Sequence, residues 1–150
     1  MKKRILYLIS LFFVIVLIFV IAKPIFMLYN SVFAEGLTFK DYLEVMWNGL
    51  TLDNTSSAIL ILVPYLVLFI SIWIKLNPRK VLGAYFFIVA LVIAIILVVD
   101  TSLYEFWSFK LDATILFYID SPSNVAASVS TMFIVIRIAL ILIIFDAIFV

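Results

Sequence analysis

Three charged residues associated with long apolar stretches have the greatest potential for chemistry in this chain. Arg137 and Asp146 lie inside an apolar stretch over about 125–150, and Asp100 ends another. A charged side chain inside a bilayer costs at least about 2.5–3.5 kcal/mol on insertion scales, so Arg137 should face protein and have a partner. Asp146 comes nine residues later and falls on the opposite side of a helix, which makes Asp100 the better partner. Two roles stay open for Arg137: a structural ion pair, or binding of an anionic lipid or substrate phosphate.

A second group of candidate residues lies in two segments rich in aromatic residues. Residues 102–124 place Lys110 and Asp112 among six aromatic side chains. An aromatic belt at the membrane interface accounts for the rings but not for the two charges between them. Together with Trp47 and Trp107, these residues form a candidate surface for docking lipid headgroups or another domain.

The composition indicates lipid as the solvent for most of the chain. Hydrophobic residues make up 68% of the 150 residues and charged residues 13%, against about 45–50% and about 25% in soluble domains. Cysteine and histidine are absent, which excludes disulfides and thiol or imidazole chemistry. No glycine-rich phosphate loop or basic nucleic-acid-binding face is present. We identify no catalytic, cofactor-binding or metal-binding residue.

Four apolar stretches are long enough to cross a hydrocarbon core of about 30 Å, which takes about 20 helical residues. In lipid such stretches must satisfy their own backbone groups and become helices. The sequence therefore predicts an all-α membrane protein with about four transmembrane helices, over about 5–29, 57–75, 81–99 and 125–150. The first is expected to be an uncleaved anchor, because its apolar run is too long for a signal peptide. Lys23-Pro24 is expected to anchor its far end by snorkelling.

The two longer connections are expected to be structured. Over 38–50, apolar residues recur at helical spacing after a capping Thr38, which predicts a separate amphipathic helix at the membrane interface. The simpler interpretation of this helix is a connector lying flat on the bilayer. The aromatic connection over 102–124 is predicted to contain a short helix from Asp112 to Tyr118, and Ser121-Pro122 to begin the fourth helix.

Charge predicts the orientation of these segments. The N-terminus and the connection after the second segment hold six basic and no acidic residues, whereas the other two connections hold eight acidic and two basic residues. Because lysine and arginine favour the cytoplasmic side, both termini of the chain are expected to be cytoplasmic.

Two stretches resemble a known family. Residues 48–53 (NGLTLD), followed by a helix containing Pro64, and residues 106–118 (FWSFKLDATILFY), followed by Ser121-Pro122 and 126–128 (AAS), are similar to the N-terminal membrane region of the lipoteichoic acid synthase family. These are bacterial membrane proteins of the sulfatase and alkaline phosphatase superfamily. The resemblance covers most of the chain, and the second stretch is the more specific.

The resemblance implies a membrane anchor in the bacterial cytoplasmic membrane. The family carries an extracytoplasmic catalytic domain with a threonine nucleophile and a divalent metal, often manganese. It transfers phosphoglycerol or phosphoethanolamine from a lipid, or hydrolyses sulfate or phosphate esters. The family's membrane domain has about five helices, so a fifth helix and then the catalytic domain are expected to follow Val150. None of the family's catalytic residues maps onto this chain, so we expect the chain to be inactive alone. The expected partners are the bilayer, an anionic lipid headgroup and that domain. The alternative is a free-standing four-helix protein, such as a small transporter or an accessory subunit.

Overall fold

The computed structural model describes residues 2–107 and 130–149, and in these ranges the chain is helical with no strand. Four helices are long and apolar enough to cross a membrane: α1 (Lys2–Tyr29), α2 (Phe39–Ile70), α3 (Pro78–Trp107) and α4 (Thr131–Phe149). A 3₁₀ turn over Ser31–Ala34 follows α1. The prediction of an all-α, multi-pass membrane protein is therefore confirmed.

The second helix differs from its prediction. The segment over 38–50 is helical, but it is not separate from the second span, since α2 runs unbroken from Phe39 to Ile70. At its start, the backbone N–H of Thr38 donates to the carboxylate of Asp41 at 2.6 Å. In its polar middle, the hydroxyl of Thr55 donates to the carbonyl of Thr51 at 2.9 Å. This hydroxyl is thereby hydrogen-bonded within its own helix, a common arrangement for a threonine in a helix interior.

The remaining helix ends shift by several residues. α2 ends at Ile70 rather than near 75, and α3 continues to Trp107 rather than ending near 99. The predicted short helix from Asp112 to Tyr118, the helix start at Ser121-Pro122 and the first residues of the predicted fourth span lie outside the described residues.

The chain forms two compact units, Met1–Tyr85 and Phe86–Val150. In the first, α1 and α2 pack as an antiparallel hairpin with contacts near both ends. Arg4 Nη1 donates to the carbonyl of Leu68 at 2.9 Å and to Ser71 Oγ at 3.2 Å, while Lys23 pairs with Asp53. The 19 residues from Arg4 to Lys23 rise about 28 Å at about 1.5 Å per residue. The two contacts are therefore separated by about one hydrocarbon thickness.

A hydroxyl group compensates for a proline inside α2. Pro64 is buried and has no N–H, so it cannot bond to the carbonyl of Leu60 four residues earlier. Tyr85, near the start of α3, donates its hydroxyl to that carbonyl at 2.8 Å. The carbonyl that the proline leaves unpaired thereby ties the start of α3 to α2.

In the second unit, aromatic rings join α3 to α4. The ring of Phe87 lies edge-on to those of Phe145 and Phe149, with centroids 5.1 and 5.7 Å away. The two α4 rings stack on each other at 5.5 Å. Small residues on α3, including the buried Ala90 and Ala94, form part of the same unit's core. Side chains of this size allow helices to approach closely in a membrane.

Candidate functional site

A charged pair between α1 and α2 is the most distinctive polar feature of the first unit. The ammonium group of Lys23 contacts the carboxylate of Asp53, and the two side chains are only 19% and 8% exposed. Lys23 Nζ also lies 3.4 Å from the carbonyl oxygen of Phe19. The sequence predicted a snorkelling anchor at Lys23, and the structure adds a partner for this charge on the neighbouring helix, Asp53.

The spacing of small and polar residues on α2 explains how the pair fits. Gly49, Asp53 and Ser57 recur every fourth residue and share one helix face. A Cβ added at Gly49 would overlap the Cε of Lys23 and lie 2.9 Å from its Nζ. Gly49 therefore leaves the space in which the lysine side chain crosses α2. Ser57 is fully buried one turn beyond Asp53, and its hydroxyl has no hydrogen-bond partner among the described residues.

An open groove of about 720 Å³ lies close to the pair. One residue of α1 and six from the first part of α2 line it: Val20, Lys40, Leu43, Glu44, Met46, Trp47 and Leu50. The lining is mostly apolar, and its two charged residues are one helical turn apart and opposite in sign. A groove of this composition suits an apolar side chain or acyl group with a polar edge.

The predicted docking residues are only partly described by the structure. Trp47 lies on α2, is 75% exposed and lines the groove. Trp107 is the last residue of α3. Lys110 and Asp112 lie outside the described residues. The predicted docking surface over these four residues therefore stays a prediction.

The intramembrane charges lie in the second unit. The guanidinium carbon of Arg137 sits 4.4 Å from the centroid of the Phe133 ring, one turn earlier on α4, where a cation–π contact forms. Arg137 is half-buried and Asp146 is exposed, which places them in different environments on the same helix. Asp100 is half-buried on α3. Pairing of Arg137 with Asp100 stays a prediction.

The described charged residues form contacts within and between helices. Across residues 2–107 and 130–149 no three potential metal ligands among histidine, cysteine, aspartate and glutamate come together. A buried lysine–aspartate pair fixes the relative position of two helices, since leaving either charge alone in a low-dielectric site is costly. The sequence offered only the general rule that charges within membrane helices pair, because the identity of the partner depends on the register between two helices.

Comparisons with protein-family models, with curated proteins and with solved structures find no match to this chain.

Proposed function

We propose that this chain is the membrane anchor of a lipoteichoic acid synthase-like transferase, or of a sulfatase-like hydrolase. In this proposal it holds an extracytoplasmic catalytic domain at the membrane surface and has no activity alone. The proposal rests on the resemblance of residues 48–53 and 106–118. A metal such as manganese belongs to the catalytic domain and not to this chain.

One structural observation carries the positioning role. α2 continues for 14 residues from Asp53 back to Phe39, which corresponds to about 21 Å beyond the level of the ion pair. This first part of α2, residues 39–52, exposes Phe39 (78%) and Trp47 (75%). Large exposed rings on a continuous helix beyond one hydrocarbon thickness favour contact with a domain at the membrane surface. The Lys23–Asp53 ion pair holds α2 against α1 next to this segment, and so helps to fix the position of the contact with that domain.

The first test is the mass of the native gene product. An N-terminal tag on the chromosomal copy and a blot of the membrane fraction would show it. A band several-fold heavier than 17.2 kDa supports an anchor of a larger enzyme. A band at 17.2 kDa overturns the anchor proposal and favours the free-standing four-helix protein.

The proposed orientation places both ends of the chain in the cytoplasm of a bacterial cell. The chain contains no cysteine, so a single introduced thiol reports its own position without background. Lys40→Cys should react in intact cells with a maleimide that does not cross the membrane, and Lys75→Cys should react only after permeabilisation. The opposite pattern would reverse the orientation and remove the extracytoplasmic role.

The docking role has a matched pair of variants. Trp47 and Trp73 are similarly exposed, at 75% and 78%, but they lie near opposite ends of the hairpin. In the native product, Trp47→Ala and the pair Lys110→Ala and Asp112→Ala should increase proteolysis between the anchor and its domain. Trp73→Ala should leave proteolysis unchanged. Equal protection in all of these variants would contradict docking on this surface.

A further inference from the structure

We infer that the end of the hairpin opposite the Lys23–Asp53 pair binds the headgroups of acidic phospholipids. The hydrogen bonds from Arg4 to Leu68 and Ser71 bring the start of α1 beside the end of α2. This contact places the basic residues before α1's apolar run and those after α2 at one end of the unit. The basic end consists of Lys2, Lys3, Arg4, Lys75, Arg79 and Lys80, all exposed.

No acidic side chain of the first unit neutralises the basic end. Residues 1–34 and 54–85 contain no aspartate or glutamate, and the first turn of α3 has no acidic residue. The nearest acid along α2 is Asp53, 15 residues before Leu68 and thus about 22 Å away along the helix. Asp53 is moreover already paired with Lys23. The anion that complements these six charges must therefore come from outside this unit.

Exposed apolar residues next to the charges select a lipid as that anion. The connection between α2 and α3 exposes four apolar side chains around Lys75. Ile72, Trp73 and Ile74 precede it, and Leu76 follows it. The ring of Trp73 extends a row of two rings on α2. Its centroid lies 5.2 Å from that of Phe69, and the Phe69 centroid lies 6.2 Å from that of Tyr65. Basic residues beside exposed apolar ones favour a surface with anionic headgroups above acyl chains. A soluble polyanion would satisfy the charges but leave these apolar side chains in water.

Trp73 supplies a direct probe of the lipid beside the basic end. A protein carrying Trp47→Phe and Trp107→Phe retains Trp73 as its one tryptophan. It would be reconstituted in vesicles with equal fractions of dibrominated phosphatidylglycerol or dibrominated phosphatidylcholine, which quench a neighbouring indole. We expect the acidic lipid to associate at Trp73 about threefold more tightly or better, since each surface lysine or arginine contributes to attracting acidic lipid. The combined variant Lys75→Gln, Arg79→Gln and Lys80→Gln removes three of the six charges and should clearly reduce this preference.

A matched control lies at the other end of the hairpin. A protein retaining only Trp47, beside Lys40 and Glu44, should be quenched equally by the two lipids. Raising the salt concentration should weaken the preference at Trp73 in the otherwise unchanged protein, a readout that does not depend on the folding of any glutamine variant. Equal quenching by both lipids at Trp73 would overturn the inference. So would an acidic-lipid preference that the glutamine substitutions leave unchanged, or one of the same size at Trp47.

Discussion

Lys23 on α1 and Asp53 on α2 form an ion pair about 28 Å along the hairpin from the contact of Arg4 with Leu68. The two contacts lie at opposite ends of the packed helices and fix their relative position along the axis. Sliding one helix by a turn would separate the charges and leave both of them poorly solvated. The pair therefore specifies one register of the hairpin as well as contributing to its stability.

Removing one member of this pair should destabilise the protein. Lys23→Ala or Asp53→Ala leaves a buried charge alone, for which the typical loss is about 3–5 kcal/mol. Replacing both residues with leucine should recover most of this loss, because no isolated charge remains. Unfolding by denaturing detergent in mixed micelles measures both effects. Lys40→Ala, at an exposed position, is the control and should change stability little. Single variants as stable as the unchanged protein would contradict the importance of the pair.

Gly49 and Gly83 give a matched comparison for close packing at the pair. Gly49→Ala places a methyl group where Lys23 Cε lies, whereas a Cβ at Gly83 meets nothing within 4 Å. Overpacking typically costs about 1–3 kcal/mol. The overlapping atoms are the far end of a flexible side chain, and alanine recovers up to about 1 kcal/mol of helix propensity, so Gly49→Ala should destabilise the hairpin by at most about 2 kcal/mol. Gly83→Ala should be neutral or slightly stabilising, because alanine is the better helix former. The same detergent titration compares the two variants.

The effect of Gly49→Ala should depend on Lys23. In a Lys23→Ala background the overlapping side chain is gone, and adding Gly49→Ala should have little further effect. An equal cost of Gly49→Ala in both backgrounds would mean that the glycine is needed for some other contact.

Tyr85 and Pro64 should be energetically coupled through the carbonyl of Leu60. Tyr85→Phe removes the hydroxyl that donates to this carbonyl and should cost about 0.5–1.5 kcal/mol, the usual value for one hydrogen bond. In a Pro64→Ala background, the alanine N–H can donate to the same carbonyl, so the cost of Tyr85→Phe should fall. A double-mutant cycle on unfolding free energy measures this difference. Additive effects would show that the two residues do not share the carbonyl.

Hydropathy could predict the four helices because the bilayer dictates their length and their internal hydrogen bonding. It could not predict that α2 is continuous. Residues 48–57 (NGLTLDNTSS) are rich in residues that favour turns, and only packing against α1 shows that Gly49, Asp53 and Ser57 form one helix face. For the same reason the sequence did not indicate that Lys23 and Asp53 are partners. Lys23 and Asp53 are 30 residues apart in sequence. Whether they pair depends on how α1 and α2 align along their axes, and the spacing of residues within one helix does not determine this alignment.

The predicted pairing of Arg137 with Asp100 can be tested by exchanging their charges. Consecutive spans cross a bilayer in opposite directions, and Phe87 on α3 lies level with 145–149 on α4. Asp100 is 13 residues beyond Phe87 and so falls level with about 132–136, one to five residues from Arg137. Arg137→Glu alone places two acids close together in an apolar environment and should strongly reduce the yield of folded protein.

Adding Asp100→Arg to Arg137→Glu should restore much of that yield, because opposite charges again face each other. Asp146→Arg in the same background is the matched control, since Asp146 is exposed on the same helix and should not rescue. The yield of monodisperse protein after detergent extraction measures each case. Rescue by Asp146→Arg rather than Asp100→Arg would assign the partner of Arg137 to its own helix. Rescue by neither would favour the other role of Arg137, binding of an anionic lipid or substrate phosphate, since such a site requires the positive charge itself.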